Sequence, residues 1–146
     1  MFVVDTNVFV HAADTLCPEH QACLALLTQW RGQRTPWYTT WGIFHELLRV
    51  ATHANVFRRP LTLAQAWAFV ESMLKAPGLR VLEHTPRHAQ VAAQTFAELA
   101  TLRGNVVHDL HTAVLLREHG IKRIVTRDAD FKRFPFLEVI DPLSKP

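Results

Sequence analysis

The sequence predicts an α/β domain built on a parallel sheet, and three observations carry that expectation. Short apolar runs of strand-forming residues alternate with longer segments of helical periodicity. The first run, Phe2-Val3-Val4, is continuously apolar, as in a strand buried on both faces of a sheet. It stops at Asp5-Thr6-Asn7, which is turn and N-cap chemistry, and a second apolar run follows at once. That geometry is a buried strand delivering one carboxylate to its C-terminal end before a helix. Ligands of open α/β sheets bind along that edge.

The other elements follow in order. Pro18 to Trp30 reads as a helix with Leu24, Leu27 and Trp30 among its apolar positions, and Gly32 stops it. Pro36 to Thr40 has strand composition. Trp41 to His53 is helical again, with Ile43, Phe44, Leu47, Leu48 and Ala51 on one face and Glu46 outside that stripe. Arg58-Arg59-Pro60 is a break. Thr62 to Lys75 is the clearest helix, since Leu63, Ala66, Trp67, Val70, Met73 and Leu74 recur at helical spacing. Leu79 to Leu82 is a short strand. Pro86 opens a helix running to Leu102, closed by Arg103-Gly104-Asn105. Val107 to His119 is apolar nearly all round and is expected to be buried. Gly120 stops it. Ile121 to Thr126 is a strand, Arg127 to Phe134 a loop with a short turn, and Glu138 to Ile140 a final strand.

The 146 residues suit a single domain, 1–146, with a proper core. With 49% hydrophobic and 20% charged residues, the chain is globular and not disordered. No apolar run is long enough to cross a membrane, and the N-terminus lacks the basic start of a signal peptide. Cys17 and Cys23 are too few for a disulfide framework and fit a reducing cytoplasm. The net charge is +3, and twelve arginines against four lysines favour bidentate contacts to phosphate. That balance fits nucleic acid without specifying it.

Six aspartates carry the chemistry to be weighed. Asp5 follows the first strand, Asp109 opens the buried helix, and Asp128 and Asp130 follow the strand ending at Thr126. Singly, each has an ordinary role as cap, turn residue or solvated charge. Together they are harder to dismiss, because parallel strands place their C-terminal ends on one edge. A converging set of oxygen donors without thiolate is the chemistry of Mg²⁺ or Mn²⁺.

Four stretches in order make the resemblance specific. They are Val3-Val4-Asp5-Thr6-Asn7-Val8, Phe44-His45-Glu46-Leu47-Leu48-Arg49-Val50, Gly104-Asn105-Val106-Val107-His108-Asp109-Leu110-His111, and Val125-Thr126-Arg127-Asp128-Ala129-Asp130-Phe131. Across essentially its whole length the chain resembles the PIN-domain ribonucleases, and within them the VapC toxins of toxin–antitoxin pairs. The resemblance implies a three-layer α/β/α fold with a central parallel sheet. It places Asp5, Glu46, Asp109 and Asp128 at the family's acidic positions, around Mg²⁺ or Mn²⁺, with Asp130 as a fifth acid acting through water. Thr6, Asn7 and Thr126 would orient carboxylates from behind. Arg49, Arg127 and Arg133 would hold the RNA backbone. The implied reaction is metal-assisted hydrolysis of RNA, leaving the phosphate on the 5′ side and a 3′-hydroxyl. The substrate it favours is transfer RNA, cut in or near the anticodon loop. The implied partners are a small DNA-binding antitoxin and a second copy of the chain in a homodimer.

Rival readings fare worse. A zinc site would have to use His108 and His111 around Asp109, or His45, and none shows ligand spacing. A haloacid-dehalogenase-like phosphatase needs an acid two residues after Asp5, where Asn7 stands. A response-regulator receiver does not call for Glu46. A binding module leaves the four acids unexplained. The alternatives kept open are a PIN-like nuclease of RNA processing without an antitoxin, and a Mg²⁺-dependent phosphohydrolase that is not a nuclease. Trp37, Trp41, Trp67 and Phe131 are read as core. Trp37 or Trp41 is the better placed to stack on a base.

Overall fold

The strands pair as the sequence suggests. The computed structural model describes residues 1–144 and holds β1 (Val3–Val4), β2 (Trp37–Thr40), β3 (Leu79–Leu82), β4 (Arg123–Val125) and β5 (Glu138–Ile140). Every pairing is parallel and the order across the sheet is β3-β2-β1-β4-β5. The flanking helices are α1 (Thr6–Ala13), α2 (His20–Gly32), α3 (Trp41–Ala51), α4 (Leu63–Leu74), α5 (His88–Glu98) and α6 (Val106–Glu118), with a 3-10 helix at Ala129–Arg133. This is the expected α/β sandwich of helices about a parallel sheet.

The strand order positions the site. The chain builds outward from β1 to β2 and β3, then returns to the other side of β1 for β4 and β5. The reversal between β1 and β4 is a topological switch point, where loops leave the strand ends in opposite directions and open a crevice. Val3 pairs with Ile124 and Val4 with Val125. That register sets Asp5 beside Thr126, one residue past each strand. The core beneath is apolar: Val3, Val4, Phe9, Trp37, Phe44, Leu116 and Ile124 are all buried.

Local chemistry explains the helix boundaries. Thr40 ends β2 and its hydroxyl accepts the Ile43 amide at 3.1 Å, so α3 starts with no intervening loop. Thr62 and Gln65 form a reciprocal capping box at the start of α4. Gly120 takes φ +68° and the Ile121 amide reaches back to Leu116 O at 2.8 Å, a Schellman ending for α6. Ile121 is therefore spent on closing the helix, and β4 begins at Arg123 instead of Ile121.

Two expectations change. The helix expected to run to Leu102 stops at Glu98. Leu99 and Leu102 continue the apolar spacing but pack in a turn, with the Leu102 amide on Leu99 O at 3.0 Å. Trp37 and Phe131 are core as expected, whereas Trp41 and Trp67 are each 39% exposed. On α4 the buried face is only Ala66, Val70 and Met73, so Leu63 and Leu74 look outward.

Candidate functional site

Asp5 occupies the N-cap position of α1, yet its carboxylate makes no capping bond. The side chain is instead held from the neighbouring strand end. The Thr126 hydroxyl donates to Asp5 Oδ2 at 2.6 Å, and Asn7 Nδ2 donates to the same oxygen at 2.9 Å. Asn7 Nδ2 also reaches Thr126 Oγ1 at 2.7 Å, while Asn7 Oδ1 accepts the Arg127 amide at 3.1 Å. Every polar atom of the Asn7 amide is thus committed. Thr126 Oγ1 further accepts the Asp128 amide at 2.9 Å. One buried hydroxyl thereby ties Asp5, Asn7 and Asp128 together, and Thr126 has no exposed surface.

The second carboxylate group is looser. Asp109 lies in the first turn of α6, and Asp128 accepts the Asp130 amide at 2.8 Å, starting the 3-10 helix. One oxygen from each of Asp109, Asp128 and Asp130 lies within 4.8 Å of the other two. Glu46 faces the same space from α3. Gly42, Glu46 and Val50 recur at fourfold spacing along one wall of a cavity of about 290 Å³. Asp5, Asp109 and Asp128 share that cavity, along with His108, His111 and Thr112. An adjoining opening carries Asp130, Arg49 and Asn105 with Glu46, Asp109 and Asp128.

The electrostatics separate the acids. Burial raises the Asp5 carboxyl above its ordinary range. The Thr126 hydroxyl and the Thr6 amide oppose this, and the charges of Asp128 and Glu46 add to it. Burial, then the charges of Asp128 and Asp5, push Asp109 up to about 6. Glu46 moves the other way. Arg49 grips it with Nε at 3.0 Å and Nη2 at 2.5 Å and holds its carboxyl low. Burial and the nearby rings of His84, His88 and His108 lower His111.

The structure gathers Asp5, Glu46, Asp109 and Asp128 around one cavity, with Thr6 and Asn7 in its lining and Thr126 behind Asp5. Asp130 belongs to the tightest trio, whereas Asp5 and Glu46 stand outside it, Asp5 bonded to Thr126 and Asn7 and Glu46 to Arg49. Arg127 turns away from the cavity to Glu19 at 2.8 Å and Asp141 at 3.8 Å. Arg133 ends the 3-10 helix. The donor set is entirely oxygen, as a hard divalent cation requires, and a cation would offset the burial and the neighbouring charges that together raise Asp109. The residues therefore fit Mg²⁺ or Mn²⁺. Sequence reasoning missed Gly42 and Thr112 as lining residues. A helical glycine breaking an apolar pattern was the available signal for the first.

Residues 2–137 match the PIN domain family. The ribonuclease VapC33 of Mycobacterium tuberculosis is 32% identical over 148 residues, covering 99% of this chain and all of that one. VapC48 of the same organism is 30% identical over 140 residues, with 96% of each chain covered. The chain belongs to the PIN-domain family and, within it, to the VapC ribonucleases. Its fold is shared by VapBC2 of Rickettsia felis, solved with a DNA fragment from its promoter, at a TM-score of 0.65 and 18% identity over 94% of this chain and 96% of that one. No helix among the described residues is long and apolar enough to cross a membrane.

Proposed function

We propose that this chain is the toxin of a toxin–antitoxin pair and a divalent-metal-dependent endoribonuclease. The observation that carries the reading is the convergence of Asp5, Glu46, Asp109, Asp128 and Asp130 on one crevice at the switch point of the sheet. Membership among ribonucleases named VapC supports RNA as the substrate.

Asp109, Asp128 and Asp130 would hold Mg²⁺ or Mn²⁺, with Asp5 lining the same crevice. When bound, the ion offsets phosphate charge, acidifies water and stabilises the leaving oxygen. The protein's own residues do the positioning. Thr126 and Asn7 fix Asp5 Oδ2 and with it the orientation of the carboxylate at the crevice. Glu46 lines the same cavity as Asp5 and would orient water by accepting a hydrogen bond from it. Arg49 is 62% exposed and can exchange Glu46 for a backbone phosphate. Arg127 and Arg133 bind phosphates farther along the strand. The bond to the 3′-oxygen would break, releasing a 3′-hydroxyl on the upstream fragment and leaving a 5′-phosphate on the downstream one. Transfer RNA, cut in or near the anticodon loop, is the substrate the resemblance favours.

The protein works as one PIN domain in the cytoplasm and pairs as a homodimer through its outward-facing apolar helix surfaces. Its antitoxin silences it by covering the acidic crevice. A guanidinium from that partner matches the carboxylates as a cation does.

Cleavage of transfer RNA by purified protein tests the reading. Activity is expected with Mg²⁺ or Mn²⁺ and not with chelator. Asp5→Asn and Asp109→Asn are each expected to lose at least about a hundredfold, the upper range for supporting residues around a metal. Full activity in either variant overturns the assignment of these carboxylates.

A further inference from the structure

The ligand-facing edge of the sheet continues past the acidic crevice. β2 pairs with β3 so that Thr40 lies opposite Leu82. That register sets Trp41 beside Glu83, one residue past each strand, as Asp5 and Thr126 stand past β1 and β4. Trp41 and Glu83 both line a cavity of about 300 Å³, at the small end of the range for ligand pockets. Gly42 and His111 line this cavity and the acidic crevice alike, so the two share a wall.

The lining combines three kinds of chemistry. Leu82 and Leu115 are buried and apolar. Trp41 is braced on the buried Phe44 ring, with centroids 5.9 Å apart at 64°, yet 39% of its surface stays open. An indole held in this way is a rigid aromatic face that loses little freedom when something stacks on it. His111 meets His84 with 3.1 Å between their Nε2 atoms, so one imidazole donates to the other. Gly42 makes room for that ring, since a Cβ there would lie 3.2 Å from His111 Nδ1. Glu83 is exposed, and its carbonyl is fixed by His119 Nε2 at 2.7 Å. Its carboxylate forms no ion pair among the described residues. Among those residues no lysine or arginine lines the cavity.

We propose that this cavity is a nucleobase subsite that selects guanine next to the cut, an assignment that rests on the ribonuclease reading above. A phosphate finds no cation here and is repelled by Glu83, so the sugar–phosphate backbone follows the acidic crevice and only an unstacked base turns in. Trp41 stacks on the face of that base, as aromatic side chains do in single-stranded RNA recognition. The Glu83 carboxylate reads its edge. A carboxylate offers acceptors only, on two oxygens. Guanine alone presents two adjacent donors, N1–H and N2–H₂, on its Watson–Crick edge. Adenine and cytosine set one amino donor beside a ring acceptor, and uracil sets one N–H between two carbonyls. Each of those leaves a carboxylate oxygen facing a lone pair. Trp41 and Glu83 thus decide which nucleotide is placed beside the acids.

NMR titration of the tag-free protein with guanosine, adenosine, cytidine and uridine tests this. Nucleosides carry no phosphate, so their binding does not draw on the acidic crevice. Guanosine is expected to shift the Trp41 indole N–H signal, identified as the one missing from Trp41→Ala. It should bind about 5–150-fold tighter than uridine, the range for one bidentate base contact. Glu83→Gln should remove most of that preference. Trp41→Ala should weaken guanosine binding about 5–150-fold, read from the His84 and His111 ring signals, as loss of one stacking partner does. Glu83 is exposed, so its replacement leaves the fold intact, and a thermal melt verifies that in each variant. Absence of guanosine binding to the wild type overturns the proposal. Equal affinity in Trp41→Ala overturns it too and assigns the open indole to pairing between copies. Equal affinity for guanosine and uridine, or an unchanged preference in Glu83→Gln, overturns the selection of guanine by Glu83. Metal-dependent RNA cleavage without nucleoside binding sinks the subsite alone, whereas guanosine binding without RNA cleavage sinks the nuclease reading and leaves the base site standing.

Discussion

The two sides of the acidic crevice are built on opposite principles. On the β1–β4 side, Asp5 is buried and held by Thr126 and Asn7 in a network with the Asp128 amide. On the α6 side, Asp109 sits close to Asp128 and Asp130 with no opposing cation in the trio. Hydrogen bonding has settled the first carboxylate in place. The second group stores repulsion that a bound cation would release. A site of this kind needs both: one fixed oxygen to define where the ion sits, and surplus negative charge to make binding favourable.

The largest effect on the fixed side comes from removing its central hydroxyl. Thr126→Val keeps the side-chain shape but strands the Asp128 amide and leaves Asp5 Oδ2 with Asn7 as its one side-chain donor. A loss of about 1–3 kcal/mol in stability is expected, since a buried polar group left without its partner carries its full desolvation cost. Activity should fall roughly 10–100-fold, as for other groups that orient a ligating carboxylate. Urea unfolding beside a cleavage assay measures both. Unchanged stability would mean that the network carries no weight.

The crowded side answers to pH. Asp109 is held near 6 in the folded protein, above its ordinary value of 3.8. The folded state therefore binds this proton more tightly than the unfolded chain does. Stability from this group rises as pH falls from above 6 toward about 4, and is lost again as pH climbs through 6. In chelator, the wild type should gain melting temperature from pH 7 to pH 5 relative to Asp109→Asn. The same proton competes with the cation, so metal affinity should weaken below about pH 6. Identical pH profiles for the two proteins would remove Asp109 from the crowded group.

Arg49 gives the smallest effect. Its pair with Glu46 is exposed, and such pairs contribute about 0–1 kcal/mol. Arg49→Ala should leave stability nearly unchanged, raise KM for RNA and flatten its salt dependence. A change in kcat alone would show that Arg49 acts on Glu46 and not on the RNA backbone.

Much of this was legible in the sequence for identifiable reasons. The parallel sheet followed from the apolar run ending at Asp5, because a run of that kind has few other places to go. Asp5, Glu46, Asp109 and Asp128 were visible through their flanking residues. Asp130 was underweighted, since its closeness to Asp109 depends on the turn of the 3-10 helix, which spacing does not reveal. The role of Thr126 as the hub behind Asp5 was only partly readable, because it rests on the register between β1 and β4. The contact between His84 and His111 was not legible. His84 and His111 are 27 positions apart, and only tertiary packing brings the segment after β3 against α6. In the sequence His108 and His111 straddle Asp109, whereas the structure pairs His111 with His84.

Thermal melts of wild type and Asp109→Asn, each in chelator and in Mn²⁺, test the central claim that this crevice is a strained site for a divalent cation. In chelator the variant should melt above the wild type, because one repelling charge is gone. In Mn²⁺ at ~100 times its dissociation constant, the wild type should gain roughly 2.7 kcal/mol, and the variant much less. A variant that melts below the wild type in chelator and gains as much from Mn²⁺ would contradict the claim and leave Asp109 as an ordinary first-turn helix residue.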